Sequence, residues 1–189
     1  MLVVSTVAGH AISVSHTALN PSDLDALTPM ANPVASSSTG TFNQTLFGNQ
    51  FAPGGAIIAR TPWESSIHEA TGVYSSVQAG SSVTFLFDKV MKGFSLIWGS
   101  PDTYNDLTIE LISSGTTYTI NGGSVAPPLG ILASLVEVTD VEFDKMVLTS
   151  GRNAFEFSNL TTTVPLPAGG LLLVTALGGL ALMRRKKNA

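Results

Sequence analysis

The chain of 189 residues contains no cysteine. Disulfide bonds, thiolate zinc sites and a cysteine nucleophile are therefore excluded, and stability has to come from packing. Charged residues are also scarce, at 12% of the sequence. Together with abundant serine, threonine, glycine and asparagine, this favours strands and turns over helices with charged faces. The composition predicts an all-β chain with room for one domain.

Histidine is also rare, because the chain has only His10, His16 and His68. No HxH or HExxH spacing places two imidazoles on one metal ion, and no G-x-S-x-G sequence marks a serine nucleophile. A pair of carboxylates suited to glycoside hydrolysis can arise by chance in any acidic β-sandwich. The sequence therefore predicts a protein that is not an enzyme.

Basic residues are few and unevenly distributed. Four of the nine lie together at Arg184, Arg185, Lys186 and Lys187, which leaves five scattered cations against thirteen acidic residues in the rest of the chain. Such a body has no basic stripe that could neutralise a run of phosphates. Nucleic acid is not an expected partner.

Residues 51–160 carry short β-rich runs separated by turn sequences. Apolar side chains alternate with polar ones at Val83, Phe85 and Phe87, and this pattern is typical of half-buried strands. Turn residues occupy the gaps, for example at residues 99–102 and 121–123, with spacings suited to antiparallel hairpins. The pattern predicts an antiparallel β-sandwich of jelly-roll type over 51–160.

The first 50 residues do not show this regularity. Residues 1–11 resemble the end of a signal peptide, since a short apolar run ends in the small residues Gly9 and Ala11. No cation precedes the run, so the signal would be truncated, and a first β-strand over residues 2–7 is the alternative. Residues 12–50 are rich in Asn, Pro, Ser and Thr, which predicts a loosely ordered lead-in.

Residues 161–189 combine a proline motif, an apolar segment and a basic end. The prolines keep the backbone extended ahead of 16 uncharged residues, slightly short of the ~17–25 of a comfortable membrane span. The basic end would stay in the cytoplasm and place the β domain across the membrane. The motif is Val164, Pro165, Leu166, Pro167 and Ala168, and the basic membrane stop is Arg184, Arg185, Lys186 and Lys187.

Residues 164–187 resemble the PEP-CTERM class of sorting signals, in the VPLPA variant of exported bacterial proteins. The resemblance implies export by the Sec machinery, a precursor anchored in the inner membrane, and cleavage near the proline motif by exosortase, a membrane cysteine protease. It further implies a final location in the cell envelope, at the cell surface or in an extracellular matrix such as that of a biofilm. A plain C-terminal anchor that is never processed is the alternative.

Two segments of the body resemble exosortase-dependent surface proteins, namely residues 95–105 and residues 153–159. This similarity implies a β-sandwich displayed outside the cell, and it brings no catalytic residues. The expected function is non-catalytic display, adhesion or matrix structure, without a cofactor.

A calcium-assisted carbohydrate-binding module is the alternative function. Oxygen ligands and aromatic rings occur together after the strand that ends near Trp98, and they could bind Ca²⁺ and an envelope or matrix polysaccharide. Trp98 also continues the apolar face of Phe94 and Leu96, which would place it in the core instead. A second acidic group, Asp140, Glu142 and Asp144, is typical of a solvated strand face. The candidate ligand residues are Trp98, Asp102, Tyr104, Asn105 and Asp106.

Overall fold

The computed structural model describes residues 3–7 and 10–164, with side chains from residue 12 onward. These residues form strands, one short α-helix, α1 (Pro21–Asp25), and one 3-10 turn (Gly122–Ser124). The strands are β1 (Val3–Val7), β2 (His10–Leu19), β3 (Ser37–Thr39), β4 (Phe42–Leu46), β5 (Gln50–Phe51), β6 (Ile57–Ala59), β7 (Tyr74–Val77), β8 (Ser81–Met91), β9 (Gly93–Gly99), β10 (Asn105–Leu111), β11 (Thr116–Asn121), β12 (Ala133–Thr139), β13 (Phe143–Ser150) and β14 (Phe155–Thr163).

Two antiparallel sheets pack face to face, which confirms the predicted all-β sandwich. The larger sheet has seven strands in the order β1-β2-β12-β9-β14-β7-β4, and the smaller has five in the order β11-β10-β13-β8-β3. Strands β5 and β6 form a separate hairpin. From β7 to β10 the chain passes from one sheet to the other with every strand, so that both sheets close over one shared interior.

The core follows the alternation of side chains along the strands. Val83 and Phe85 of β8 are buried, as are Phe94, Leu96 and Trp98 of β9. Because successive side chains of a strand point to opposite faces, these residues meet their counterparts from the other sheet. The periodicity seen in the sequence therefore identified the inward faces of both strands.

The segment 12–50 differs from the loosely ordered lead-in that its composition predicts. Strand β2 pairs with β12 through seven consecutive residue pairs, while β3 pairs with β8 and β4 with β7. Ile12 is buried in the main core between the sheets, whereas Leu19 is buried on the opposite face of the larger sheet, against Leu24 and Trp63. Asn20 caps α1, whose first residue is Pro21, so this proline begins a helix rather than marking disorder.

The two ends of the chain bear on its predicted signals. Strand β1 pairs with β2 at the edge of the larger sheet. This agrees with the alternative interpretation of the N-terminus, a first β-strand over residues 2–7. No helix in the part of the chain that the structure describes is long and apolar enough to cross a membrane. Most of the sorting segment lies outside the described residues, including Pro165, Leu166, Pro167, Ala168, the apolar run and the basic stop at Arg184, Arg185, Lys186 and Lys187.

Candidate functional site

Two of the five candidate ligand residues are core residues. Trp98 has no exposed surface, and its ring stacks on that of Phe155 with centroids 4.2 Å apart. Asn105 is equally buried: its Nδ2 donates to the Ala154 carbonyl (3.0 Å) and its Oδ1 accepts from Ser150 Oγ (2.6 Å). Trp98 therefore lies in the core, and neither side chain can contact a ligand from solvent.

Asp102 and Tyr104 form a hydrogen-bonded pair in the loop between β9 and β10. Tyr104 Oη donates to Asp102 Oδ2 at 2.5 Å, and the Arg152 guanidinium lies 5.9 Å from the centre of the Tyr104 ring. Burial and the bond to Asp102 raise the pKa of the Tyr104 phenol above its ordinary value. Tyr104 therefore remains a neutral hydrogen-bond donor at physiological pH.

Asp106 has a separate environment. Its Oδ1 accepts from Asn121 Nδ2 at 2.8 Å, and the same amide nitrogen donates to the Thr103 carbonyl at 2.9 Å. Asp106 thus ties β10 to the end of β11, so the five candidate residues do not form a single site.

Asp102 and Tyr104 border a cleft of about 210 Å³, which we call the Glu156 cleft. Three parts of the chain meet there: strand β6 with the residue after it, the loop after β9, and the start of β14. Its lining residues are Ile57, Ile58, Ala59, Arg60, Ser100, Asp102, Tyr104, Asn153, Ala154 and Glu156.

Glu156 is the unusual residue of this cleft, because its side chain is almost completely buried (2% exposed). The Arg60 backbone N–H donates to Oε1 at 2.8 Å, while Oε2 is buried without a hydrogen-bond partner. Burial raises the pKa of Glu156 to about 8, the negative charge of Asp102 adds to the rise, and the Arg60 hydrogen bond opposes it. At neutral pH the carboxyl group is therefore mostly protonated.

Tyr74 interacts electrostatically with the carboxyl group of Glu156. Its phenol is buried and donates to the Gly48 carbonyl at 2.9 Å. Burial raises the pKa of Tyr74 above its ordinary value, and the charge of Glu156 adds to the effect. The polar groups that interact with Glu156 are thus two phenols that stay neutral, one carboxylate and the Arg60 backbone and side chain.

An apolar rim lies beside this polar group. Phe51 and Ile57 are cross-strand partners in the β5–β6 hairpin, and both are exposed, by 58% and 43%. Directly opposed residues of an antiparallel pair project to the same side of the hairpin, so Phe51 continues the apolar surface of Ile57, a lining residue of the cleft. The hairpin turns at Gly54 and Gly55, which both have positive φ.

The second acidic group lies at the other end of β10, beside a larger cleft of about 610 Å³. Glu142 pairs with Lys92, and Asp144 accepts from the Ile112 backbone N–H at 2.9 Å. Among residues 12–164, no three His, Asp or Glu side chains are grouped so that they could hold a metal ion. Asp140 and Glu142 are exposed and precede β13, and only Asp144 lies in this strand, so the three residues do not share one strand face as the sequence pattern predicts.

Sequence reasoning did not single out Glu156, although one signal was present. It lies between Phe155 and Phe157 in a strand whose first four residues are all buried, so that a carboxyl group occupies a position typical of an apolar residue. The Glu156 cleft combines a neutral carboxyl group, a carboxylate, a phenol and an apolar rim. Comparison of the chain with protein-family models, with curated proteins and with solved structures finds no match.

Proposed function

We propose that this protein is a non-catalytic component of a bacterial cell envelope, cell surface or extracellular matrix, delivered through its C-terminal sorting segment. The observation that carries the proposal is the position of the proline motif. Strand β14 ends at Thr163, and the motif begins at the next residue, Val164.

This junction allows cleavage without damage to the domain. Strand β14 lies inside the larger sheet, between β9 and β7, and Thr163 pairs with Gly93. The Lys92 backbone N–H donates to the Thr163 carbonyl at 2.8 Å, and Val164 beyond it is half exposed. A protease acting at the motif would therefore cut directly outside a complete sandwich.

The proposed route has two partners. The Sec machinery carries the domain across the inner membrane, where the apolar segment after the motif and the basic stop hold the precursor. Exosortase then cuts near Pro165 and Pro167 and releases the domain to the envelope, surface or matrix. Intact-mass spectrometry of the protein from its native host tests this route, since cleavage removes the basic end from the measured mass.

The proposed display domain is a sandwich of jelly-roll type, and the strand order supports this topology. Of strands β7–β14, four lie side by side in the larger sheet in the order β7-β14-β9-β12, and four lie in the smaller sheet in the order β8-β13-β10-β11. Such an order is expected for eight strands wound as two Greek keys across two sheets, and it supports the jelly-roll proposal. A jelly roll hosts many functions, so it supports an architecture for display and no particular ligand.

Replacing Pro165 and Pro167 together with Ala should leave unprocessed precursor in the membrane fraction of the native host. Alanine permits helical geometry where the prolines enforce an extended chain, so the protease would lose its substrate conformation. Immunoblots of membrane and medium fractions measure the outcome. Pro127 and Pro128, in the loop before β12, give a matched control pair whose replacement should allow maturation. Normal processing of the Pro165/Pro167 variant would contradict the proposal.

The structure does not favour the alternative function, a calcium-assisted carbohydrate-binding module, with the five ligand residues that the sequence suggested. Two of its five residues, Trp98 and Asn105, are core residues, and the carboxyl group of Asp106 is bonded to Asn121. Only Asp102 and Tyr104 line the cleft.

A further inference from the structure

The proposed route of export and sorting does not involve the Glu156 cleft, yet this cleft contains a polar group that the fold leaves without a partner. Glu156 Oε1 is fixed by the Arg60 backbone N–H, whereas Oε2 is buried without a partner. A buried polar group without a hydrogen-bond partner is destabilising, so native structures seldom retain one without a reason. Because Glu156 lines the cleft, a ligand bound there could supply the missing hydrogen bond.

From this geometry we propose that the Glu156 cleft binds a neutral, hydroxyl-rich ligand, specifically a terminal sugar unit of a polysaccharide. This inference does not depend on how the protein is exported. A sugar hydroxyl can both donate and accept, so it can pair with Glu156 Oε2, with the Asp102 carboxylate and with the Tyr104 phenol.

The charges around the cleft favour a neutral ligand over an ion. Asp102 would repel an anionic group, and the Arg60 guanidinium is already paired with Glu64, Nε to Oε2 at 3.4 Å. Calcium takes six to eight oxygen ligands, and Glu156 and Asp102 are the only acidic side chains among the described residues that line the cleft. A neutral carboxyl group, the form that burial favours, acts as a hydrogen-bond donor as well as an acceptor.

The apolar rim favours a sugar over a purely polar molecule. A pyranose ring has one face of C–H groups and a periphery of hydroxyl groups, and it suits a site with an apolar wall and a few polar groups. Ile57 lines the cleft together with Glu156, Asp102 and Tyr104, and its exposed cross-strand partner Phe51 extends this apolar wall. The volume of about 210 Å³ lies below the ~300–1,000 Å³ of sites for larger ligands, which points to one ring rather than a long chain.

A glycan array probed with the full-length chain in detergent tests the proposal. The array should present neutral hexoses, N-acetylhexosamines and uronic acids as terminal units. We expect saturable binding to at least one neutral terminal sugar, unchanged by EDTA. Binding should weaken about tenfold or more in Asp102→Ala, and also in Tyr104→Phe, which removes only the hydroxyl group.

The control variant is Asp106→Asn, because Asp106 lies in β10, directly after the loop that carries Asp102 and Tyr104, but does not line the cleft. It should bind as the unaltered chain does. Phe51→Ala tests the apolar rim at an exposed position where folding should be unaffected, and it too should weaken binding. No binding to any neutral sugar, preference for uronic acids, loss of binding in EDTA, or full binding by Asp102→Ala and Tyr104→Phe would each overturn the proposal.

Discussion

At the scale of single residues, the residues that flank the loop after β9 differ in burial from those within it. Trp98 and Asn105 point into the sandwich and complete its core, whereas Asp102 and Tyr104 face the cleft. The sequence places all four within eight positions, so proximity along the chain alone does not separate a packing residue from a binding residue. Burial is what distinguishes them.

Trp98→Ala should lower the free energy of unfolding by about 3–5 kcal/mol, because it deletes a fully buried aromatic ring that stacks on Phe155. Asp102→Ala, at a partly exposed loop position, should change it by about 1 kcal/mol or less. Urea denaturation followed by circular dichroism compares the two variants. Equal stability of Trp98→Ala and the unaltered chain would place Trp98 outside the core and contradict the structure.

Glu156 should make the protein less stable as the pH rises. Its ordinary pKa of 4.5 is raised to about 8 in the fold, so between these values the unfolded chain releases a proton that the folded chain keeps. The free energy of unfolding therefore falls through this window and stays low above it. Each pKa unit corresponds to about 1.4 kcal/mol, so the loss amounts to a few kcal/mol.

Glu156→Gln should reduce this pH dependence, since the amide does not ionise in this pH range and its oxygen can still accept a hydrogen bond from the Arg60 N–H. Urea midpoints at pH 5 and pH 8.5 measure the change. Glu137→Gln, on an exposed face of β12, is the matched control and should keep the slope of the unaltered chain. The same slope in Glu156→Gln would show that Glu156 does not hold its proton.

At the scale of elements, β2 shows how a strand can be hidden by its composition. It contains serine, threonine and histidine, and a proline follows soon after it, yet seven of its residues pair with β12. All seven pairs involve residues 13–19, so removal of residues 1–11 as a signal peptide would leave this ladder intact. The signal-peptide prediction and the strand are therefore compatible.

A chain that starts at Ile12 should keep most of its stability, and one that starts at Asn20 should lose about 3–6 kcal/mol. The shorter chain lacks the buried Ile12 and Leu19, and each such side chain contributes about 1.5–3 kcal/mol. That loss is comparable with the ~5–15 kcal/mol of a typical domain, and it also uncovers β12 as a sheet edge. Thermal unfolding of both chains checks the prediction. Equal stability would make β2 a dispensable appendage.

At the scale of the whole molecule, one main core cluster unites the two sheets. It includes Ile12 from the N-terminal segment, Phe85 from β8, Leu107 from β10 and Phe157 from β14. Elements from residue 12 to residue 163 therefore share a single interior. The domain extends beyond the 51–160 range that the strand pattern predicts, since strands before residue 51 join both sheets and β14 continues to Thr163.

A chain of residues 12–163 should therefore unfold in one cooperative transition, because one main core cluster spans this range and the two remaining clusters are too small to fold separately. Differential scanning calorimetry should give a calorimetric enthalpy equal to the van't Hoff enthalpy. A chain that ends at Ala154 lacks β14, the strand between β9 and β7, and should not fold. Two separate transitions in the 12–163 chain would contradict the single domain.

The sequence by itself determined the fold class, because the alternation of apolar residues in β8 and β9 is a local property of a half-buried strand. It also contained the proline motif, the apolar run and the basic end, whose proposed role depends on their order along the chain. Only the tertiary structure decided which polar residues meet. Glu156, Asp102 and Arg60 come from distant parts of the chain, and their proximity follows from how β6, the loop after β9 and β14 pack. Likewise, β2 became recognisable as a strand through its partner β12, since pairing across the sheet supplies the hydrogen bonds and burial that its own residues do not reveal.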